Sequence, residues 1–247
     1  MGTAATLGLV AGGFAYAAMW PGSRLFGAAL IVPSGNDSSQ GDSSHASELA
    51  LTFDDGPNPA FTPRLLDVLA EHDVRATFFM LGSRAEANSA LVRRVVAAGH
   101  VVGNHSWSHP NLALASAARI EEELSRTSQM LEQIIGAPVR FFRPPFGARR
   151  PAVLRTARRL GMVPVLWNAM TTDWESPPTD RIVAALQQKI DRLNHRGRAA
   201  NIVLHDGGHL EPRADRAASV VAAGKLIARM KPGHRFVTID AWGPRMG

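Results

Sequence analysis

Two histidines four residues apart, His105 and His109 in His-Ser-Trp-Ser-His, and two adjacent carboxylates, Asp54 and Asp55 in Thr-Phe-Asp-Asp-Gly-Pro, are the groups best able to do chemistry. Imidazoles at i and i+4 face one side of a helical turn, the spacing with which two histidines share a metal ion. The plainer reading is a loop held by hydrogen bonds through Asn104 and Trp107. Adding Asp55 gives a donor set of two nitrogens and one oxygen, which suits zinc or a related divalent ion and leaves positions open for water and substrate. Adjacent carboxylates raise each other's proton affinity unless a positive charge intervenes. A metal on one and an arginine on the other would relieve that, although Asp-Asp-Gly-Pro is equally a good strand-ending turn. The chain has no cysteine, so disulfides, thiolate nucleophiles and Cys-ligated zinc are excluded, and any transition metal must be held by His, Asp or Glu.

From Leu49 onward the sequence alternates short β-rich runs with longer helical patterns. Strands are expected at 49–53, 76–80, 100–103, 139–142, 163–167, 201–204 and 235–239. Helices are expected at about 63–72, 89–98, 116–135, 151–160, 179–195 and 215–230, several opened by Ser, Thr or Pro and closed by Gly99, Gly136 or Gly161. This alternation implies a parallel sheet, open or closed into a barrel. About 199 residues is short for eight units, so a barrel with a missing or irregular unit is expected. Asp54 and Asp55 follow the first strand, His105 and His109 the third, Arg143 the fourth, Asp173 and Trp174 the fifth, and His205 ends the sixth. All of these lie at carboxyl ends of strands, the face on which parallel α/β folds build their sites.

The 247 residues are 45% hydrophobic and 19% charged, which excludes disorder of the whole chain. A net charge of +6 favours anionic surroundings, but the basic residues are mostly scattered arginines and aromatics make up 6%, so no stacking stripe for nucleic acid is present. Met1 to Ser23 carries no charge, and Ala4 to Trp20 is an apolar run of seventeen, read as a signal peptide or a membrane anchor within residues 1–32. Ala15-Tyr16-Ala17 fits a cleavage pattern, whereas Arg24 could stop an anchor; a buried core helix is the rival reading. Residues 33–48 hold six Ser and two Gly, a linker composition, and the folded domain is expected over 49–247. An extracytoplasmic location follows from this reading.

Five motifs appear in one order: TFDDGP at 52–57, HSWSH at 105–109, RPPFG at 143–147, DW at 173–174 and IVLHD at 202–206. In this they resemble the NodB-type polysaccharide deacetylases, carbohydrate esterase family 4, over essentially 49–239. The resemblance implies a distorted (β/α) barrel of about seven parallel strands that removes acetyl groups from N-acetylated sugars with one divalent metal, zinc first, cobalt or nickel next. It implies Asp55, His105 and His109 as metal ligands, Asp54 as general base, His205 as general acid and Arg143 as the partner of Asp54. Trp174 and Ile202 would line a slot for the acetyl methyl, and Pro145 and Phe146 would contact substrate, with a backbone N–H near Phe146 holding the oxyanion. The fourth motif usually reads Asp-x-x-Asp-Trp; here Met170 stands at the first Asp, so His205 is expected to lack a carboxylate partner and to have a less elevated pKa. His209, in Gly207-Gly208-His209, fits no motif; it is close enough to His205 to line the cleft but is expected to have no role. The implied partner is an N-acetylglucosamine-type polysaccharide, with a membrane contact if residues 1–32 are retained. The rivals are the same fold acting on another amide or an O-acetyl ester, and a catalytically silent sugar-binding barrel.

Overall fold

The computed structural model describes residues 29–32 and 47–243. Most of the expected leader, residues 1–28, and most of the expected linker, 33–46, lie outside the described residues. In chain order the elements are β1 (Glu48–Gly56), α1 (Thr62–Glu71), β2 (Thr77–Met80), α2 (Gly82–Ala87), α3 (Ser89–Ala97), β3 (Val101–Asn104), α4 (Ala117–Ile135) and β4 (Phe141–Phe142). They continue with α5 (Pro151–Arg159), β5 (Val163–Pro164), β6 (Ala169–Met170), α6 (Thr179–Asn194), β7 (Ala200–His205), α7 (Ala217–Met230) and β8 (Arg235–Val237). The strands pair in parallel along the path β5-β4-β3-β2-β1-β7-β6, with β8 added beside the first residues of β1. This is the expected distorted (β/α) barrel. The chain supplies two short elements that the sequence pattern did not show, α2 and β6; a two-residue strand carries no readable period.

β1 is the central strand and is buried along all nine residues. Successive side chains alternate between the helix-covered face and the barrel interior. Leu49, Leu51 and Phe53 join Phe78, Met80, Ile202 and Leu204 in the large core under the helices. Ala50 faces inward with Phe79, Phe141, Val237 and Trp242, a second cluster at the base of the barrel. Full burial of each such Leu or Phe contributes roughly 1.5–3 kcal/mol. Further along, the inward positions become polar at Thr52 and acidic at Asp54, so one strand carries the interior from core to cleft.

The helices end where the sequence directs. In α4 the Ser116 hydroxyl accepts from the Arg119 amide, and Gly136 closes the helix at φ 71°, a conformation that costs glycine little. At the amino end the domain reaches further back than residue 49. Glu48 already belongs to β1, and Leu30 bridges to Val165, donating its amide to the Pro164 carbonyl and accepting from the Leu166 amide. Leu30 and Val32 pack on the base cluster. Residues 29–32 therefore pack on the folded unit. No described helix is long and apolar enough to cross a membrane.

Candidate active site

Asp54 and Asp55 can act together because β1 breaks its own alternation between them. Asp54 pairs with Phe79 and Gly56 with Met80, leaving Asp55 as an extra residue at φ 69°. A bulge of this kind re-aims a side chain, and both carboxylates enter one cleft. The cleft has a volume of about 590 Å³ and is also lined by His105, His109 and His205.

The wholly buried Arg143 organises two of these groups. Its Nη1 donates to Asp54 Oδ1 at 2.7 Å and to Thr52 Oγ1 at 2.7 Å, while the guanidinium lies 4.1 Å from the centroid of the Phe79 ring. Its carbonyl accepts from His105 Nδ1 at 2.8 Å. That bond places the His105 proton on Nδ1 and leaves the Nε2 lone pair directed at Asp55 Oδ1, 3.4 Å away. Arg143, though it follows a strand end, is not solvated.

His105 and His109 do not lie on a helical turn, contrary to the expectation from their spacing. Ser106 and His109 adopt φ values of 71° and 60°, so the segment is a tight loop. It is pinned from α4: the Glu123 carboxylate accepts from the amides of Trp107 and Ser108 at 2.7 and 2.8 Å and from the Ser108 hydroxyl at 2.7 Å. The loop brings His109 Nε2 to 3.2 Å from Asp55 Oδ1.

These three residues fit a metal ion on their own geometry. One ligand atom from each of Asp55, His105 and His109 lies within 4.8 Å of the others, and all three residues are buried. Asp55 Oδ1 is buried without a hydrogen-bond donor and faces Nε2 of His105 and of His109. Acceptor atoms converging in a buried site are costly unless a cation lies among them. Burial, with His105 adding to it, pushes His109 down to about 3, so its imidazole is neutral and able to coordinate. Burial alone would raise Asp55, but contacts with His105 and His209 and the charge of His205 hold it well below the usual carboxylate range.

Across the cleft, Asp173 sits in a short 3₁₀ turn, Asp173–Glu175, and accepts from His205 Nδ1 at 2.9 Å, from the His205 amide at 2.8 Å and from Ser219 Oγ at 2.7 Å. Trp174 lines the cleft with its ring edge-on to His205, centroids 5.1 Å apart. Phe146, at φ 58° in the turn Pro145–Gly147, forms the facing wall.

Residues 41–165 match the polysaccharide deacetylase family. The chain belongs to that family. It is 38% identical to a peptidoglycan-N-acetylglucosamine deacetylase of Bacillus cereus over 197 residues, 78% of this chain and 67% of the relative. It is 39% identical to a chitooligosaccharide deacetylase of Sinorhizobium fredii over 188 residues, 74% of this chain and 85% of the relative. A solved peptidoglycan N-acetylglucosamine deacetylase superposes with a TM-score of 0.71 at 36% identity, covering 82% of this chain and 90% of its own.

In this deacetylase the structure corrects three expectations. His205 does have a carboxylate partner, because Asp173 itself reaches Nδ1; Met170 merely lines the cleft. Burial works against charge on His205, but Asp173 first, then Asp55 and Asp54, raise its pKa to about 9. Ile202 does not line the slot: strand alternation sends it into the core under the helices, and its neighbour Val203 faces the cleft. Pro145 is buried and shapes the turn without lining the cleft, where Phe146 does. His209 lines the cleft, as its nearness to His205 in sequence allowed, and stands beside His109. The signal for it is Gly207-Gly208, two residues past the end of β7, a pair that lets the backbone turn back over the site.

Proposed function

We propose that the chain hydrolyses the N-acetyl amide of N-acetylglucosamine units in a cell-envelope polysaccharide, peptidoglycan glycan strands first and chitin-type oligomers second. The observation that carries this reading is the placement of an Arg143-held carboxylate, Asp54, and an Asp173-held imidazole, His205, on either side of the Asp55–His105–His109 donor set. A divalent ion bound by those three donors, zinc by the chemistry of the set, supplies a Lewis acid that acidifies water and polarises the amide carbonyl.

The remaining work belongs to the chain. Arg143 holds and aims the Asp54 carboxylate through Nη1 at 2.7 Å, so Asp54 accepts the proton of the attacking water. Within the turn at 145–147, the Gly147 and Ala148 amides already bond to the Pro144 and Pro145 carbonyls, and proline has no N–H. The Phe146 N–H is therefore the donor this turn offers to the oxyanion that forms on the acyl carbon. His205, protonated through Asp173, gives its proton to the departing amine, which leaves poorly without one. Trp174 and Val203 bound the space for the acetyl methyl. An extracytoplasmic location, membrane-anchored or secreted, agrees with an envelope substrate and with the apolar run at Ala4 to Trp20.

Acetate release from peptidoglycan and from N-acetylglucosamine oligomers, measured after chelation and after zinc add-back, tests the reading. Release that stops with chelator and returns with zinc is expected. Zinc binding without release from either polymer would move the reaction to another acyl group, and absence of metal binding would overturn the reading.

A further inference from the structure

His209 lies in the loop between β7 and α7, and the loop is pressed onto the backbone of Asp55. A Cβ on Gly207 would fall 2.0 Å from the Asp55 carbonyl oxygen, so only glycine fits there. The Gly207 carbonyl accepts from Arg216 Nε at 2.7 Å, and the Gly208 and His209 carbonyls each lie 3.4 Å from Arg84 Nη2. So fixed, the His209 ring stacks on His109 with centroids 4.3 Å apart and planes 22° from parallel. It also meets the edge of Phe146 at 5.5 Å. Its Nδ1 stands 3.7 Å from Asp55 Oδ2, the carboxylate oxygen turned away from the two Nε2 atoms.

This geometry separates two roles. An ion shared by Asp55 and His109 lies near the plane of the His109 ring, along its lone pair. A second imidazole stacked almost parallel on that ring directs its own lone pairs alongside that direction and not toward the same point. Its Nδ1–H can instead close the short remaining gap to Asp55 Oδ2 with a small side-chain adjustment. We propose that His209 is a positioning residue of the metal site: it donates from Nδ1 to the free oxygen of Asp55 and braces the His109 ring, without itself ligating the ion. The inference rests on the metal-site reading above and adds a residue outside the five motifs. Outer partners of this type change metal affinity by about 10–100-fold when lost.

The test is zinc affinity of the full chain by chelator competition, with the visible spectrum of the cobalt-substituted protein as a second readout. His209→Ala is expected to weaken zinc by about 10-fold or more and to leave the shape of the cobalt bands unchanged, because the ligands are the same. His209→Asn, whose side-chain amide can donate from a similar place, is expected to recover most of the loss. The side chain is about one-third exposed on a loop, so both variants should fold, and thermal denaturation checks this. Unchanged affinity in His209→Ala, or no recovery in His209→Asn, overturns the role. A cobalt spectrum altered by His209→Ala makes His209 a ligand and overturns it differently. Failure of the unmutated chain to bind zinc overturns the metal-site reading itself and the role with it.

Discussion

On the acid side of the cleft, Asp173 accepts three hydrogen bonds from His205 and Ser219. On the metal side, Asp55 Oδ1 is buried without a hydrogen-bond donor among the described residues and faces Nε2 of His105 and His109 at 3.4 and 3.2 Å. Both sides use one carboxylate and imidazoles, and both are drawn from the carboxyl ends of strands and the loops that follow them. They differ in whether the protein alone completes them. A saturated network holds its geometry by itself, whereas converging lone pairs need a cation to be stable. The acid side is therefore finished on folding, and the metal side is finished by its ion.

The largest effect expected from this difference is at Asp55. Asp55→Ala should weaken zinc by more than about 100-fold, beyond the range for outer partners, and reduce acetate release to background. It should also abolish the gain in melting temperature on adding zinc, which for the parent corresponds to about 2.7 kcal/mol at 100 Kd. A parent chain whose melting temperature ignores zinc would break the comparison at its root. Next comes Asp54→Asn, which keeps the ligands and should bind zinc normally while kcat falls about 10²–10⁴-fold. Bound metal measured beside the rate decides it, and an active Asp54→Asn would remove the base assignment.

The acid side should answer to pH. With the His205 pKa raised to about 9, the proton donor is present below that value and lost above it. An ion held at Asp55 would oppose positive charge nearby, so the alkaline limb of kcat in the metal-loaded enzyme should fall below about 9. Asp173→Asn removes the leading raising contribution and should move that limb toward lower pH, while zinc affinity stays the same. Stability follows the same sign: the His205–Asp173 pair contributes fully below the ordinary histidine pKa, and the contribution is lost as pH rises through about 9. An unmoved limb in Asp173→Asn would show that the protonated group lies elsewhere.

Most of this site was legible because its residues end strands that the sequence marks clearly. Asp54, Asp55, Arg143, Asp173 and His205 converge as their positions after successive strands required. What stayed hidden depends on contacts between distant residues or on single-residue registers. The loop at 105–109 takes its form from Glu123 on α4, and two positive φ values that spacing cannot reveal replace the helical turn. Asp173 reaches His205 through a 3₁₀ turn after a two-residue strand, too short for a period to show. Ile202 was placed one residue off the face it occupies, and in a strand one residue is the whole difference between cleft and core. Residues 29–32 read as leader by composition, yet their backbone pairs with the 164–166 segment.

A smaller effect separates stability from chemistry at that amino-terminal seam. Leu30 contributes two backbone hydrogen bonds to the 164–166 segment, the Ile31 carbonyl accepts from Asn201 Nδ2 at 3.1 Å, and Leu30 and Val32 are half-buried against the base cluster. With about 1 kcal/mol for each backbone bond and partial apolar burial, a chain beginning at residue 47 should be less stable than one beginning at 29 by roughly 2–4 kcal/mol. None of these residues lines the cleft, so zinc affinity and kcat at a temperature where both chains are folded should agree within about twofold. Denaturant titration beside zinc binding decides it. Equal stability would return residues 29–32 to the leader, whereas a loss of zinc affinity on truncation would mean that the metal side draws on the seam as well as on its ion.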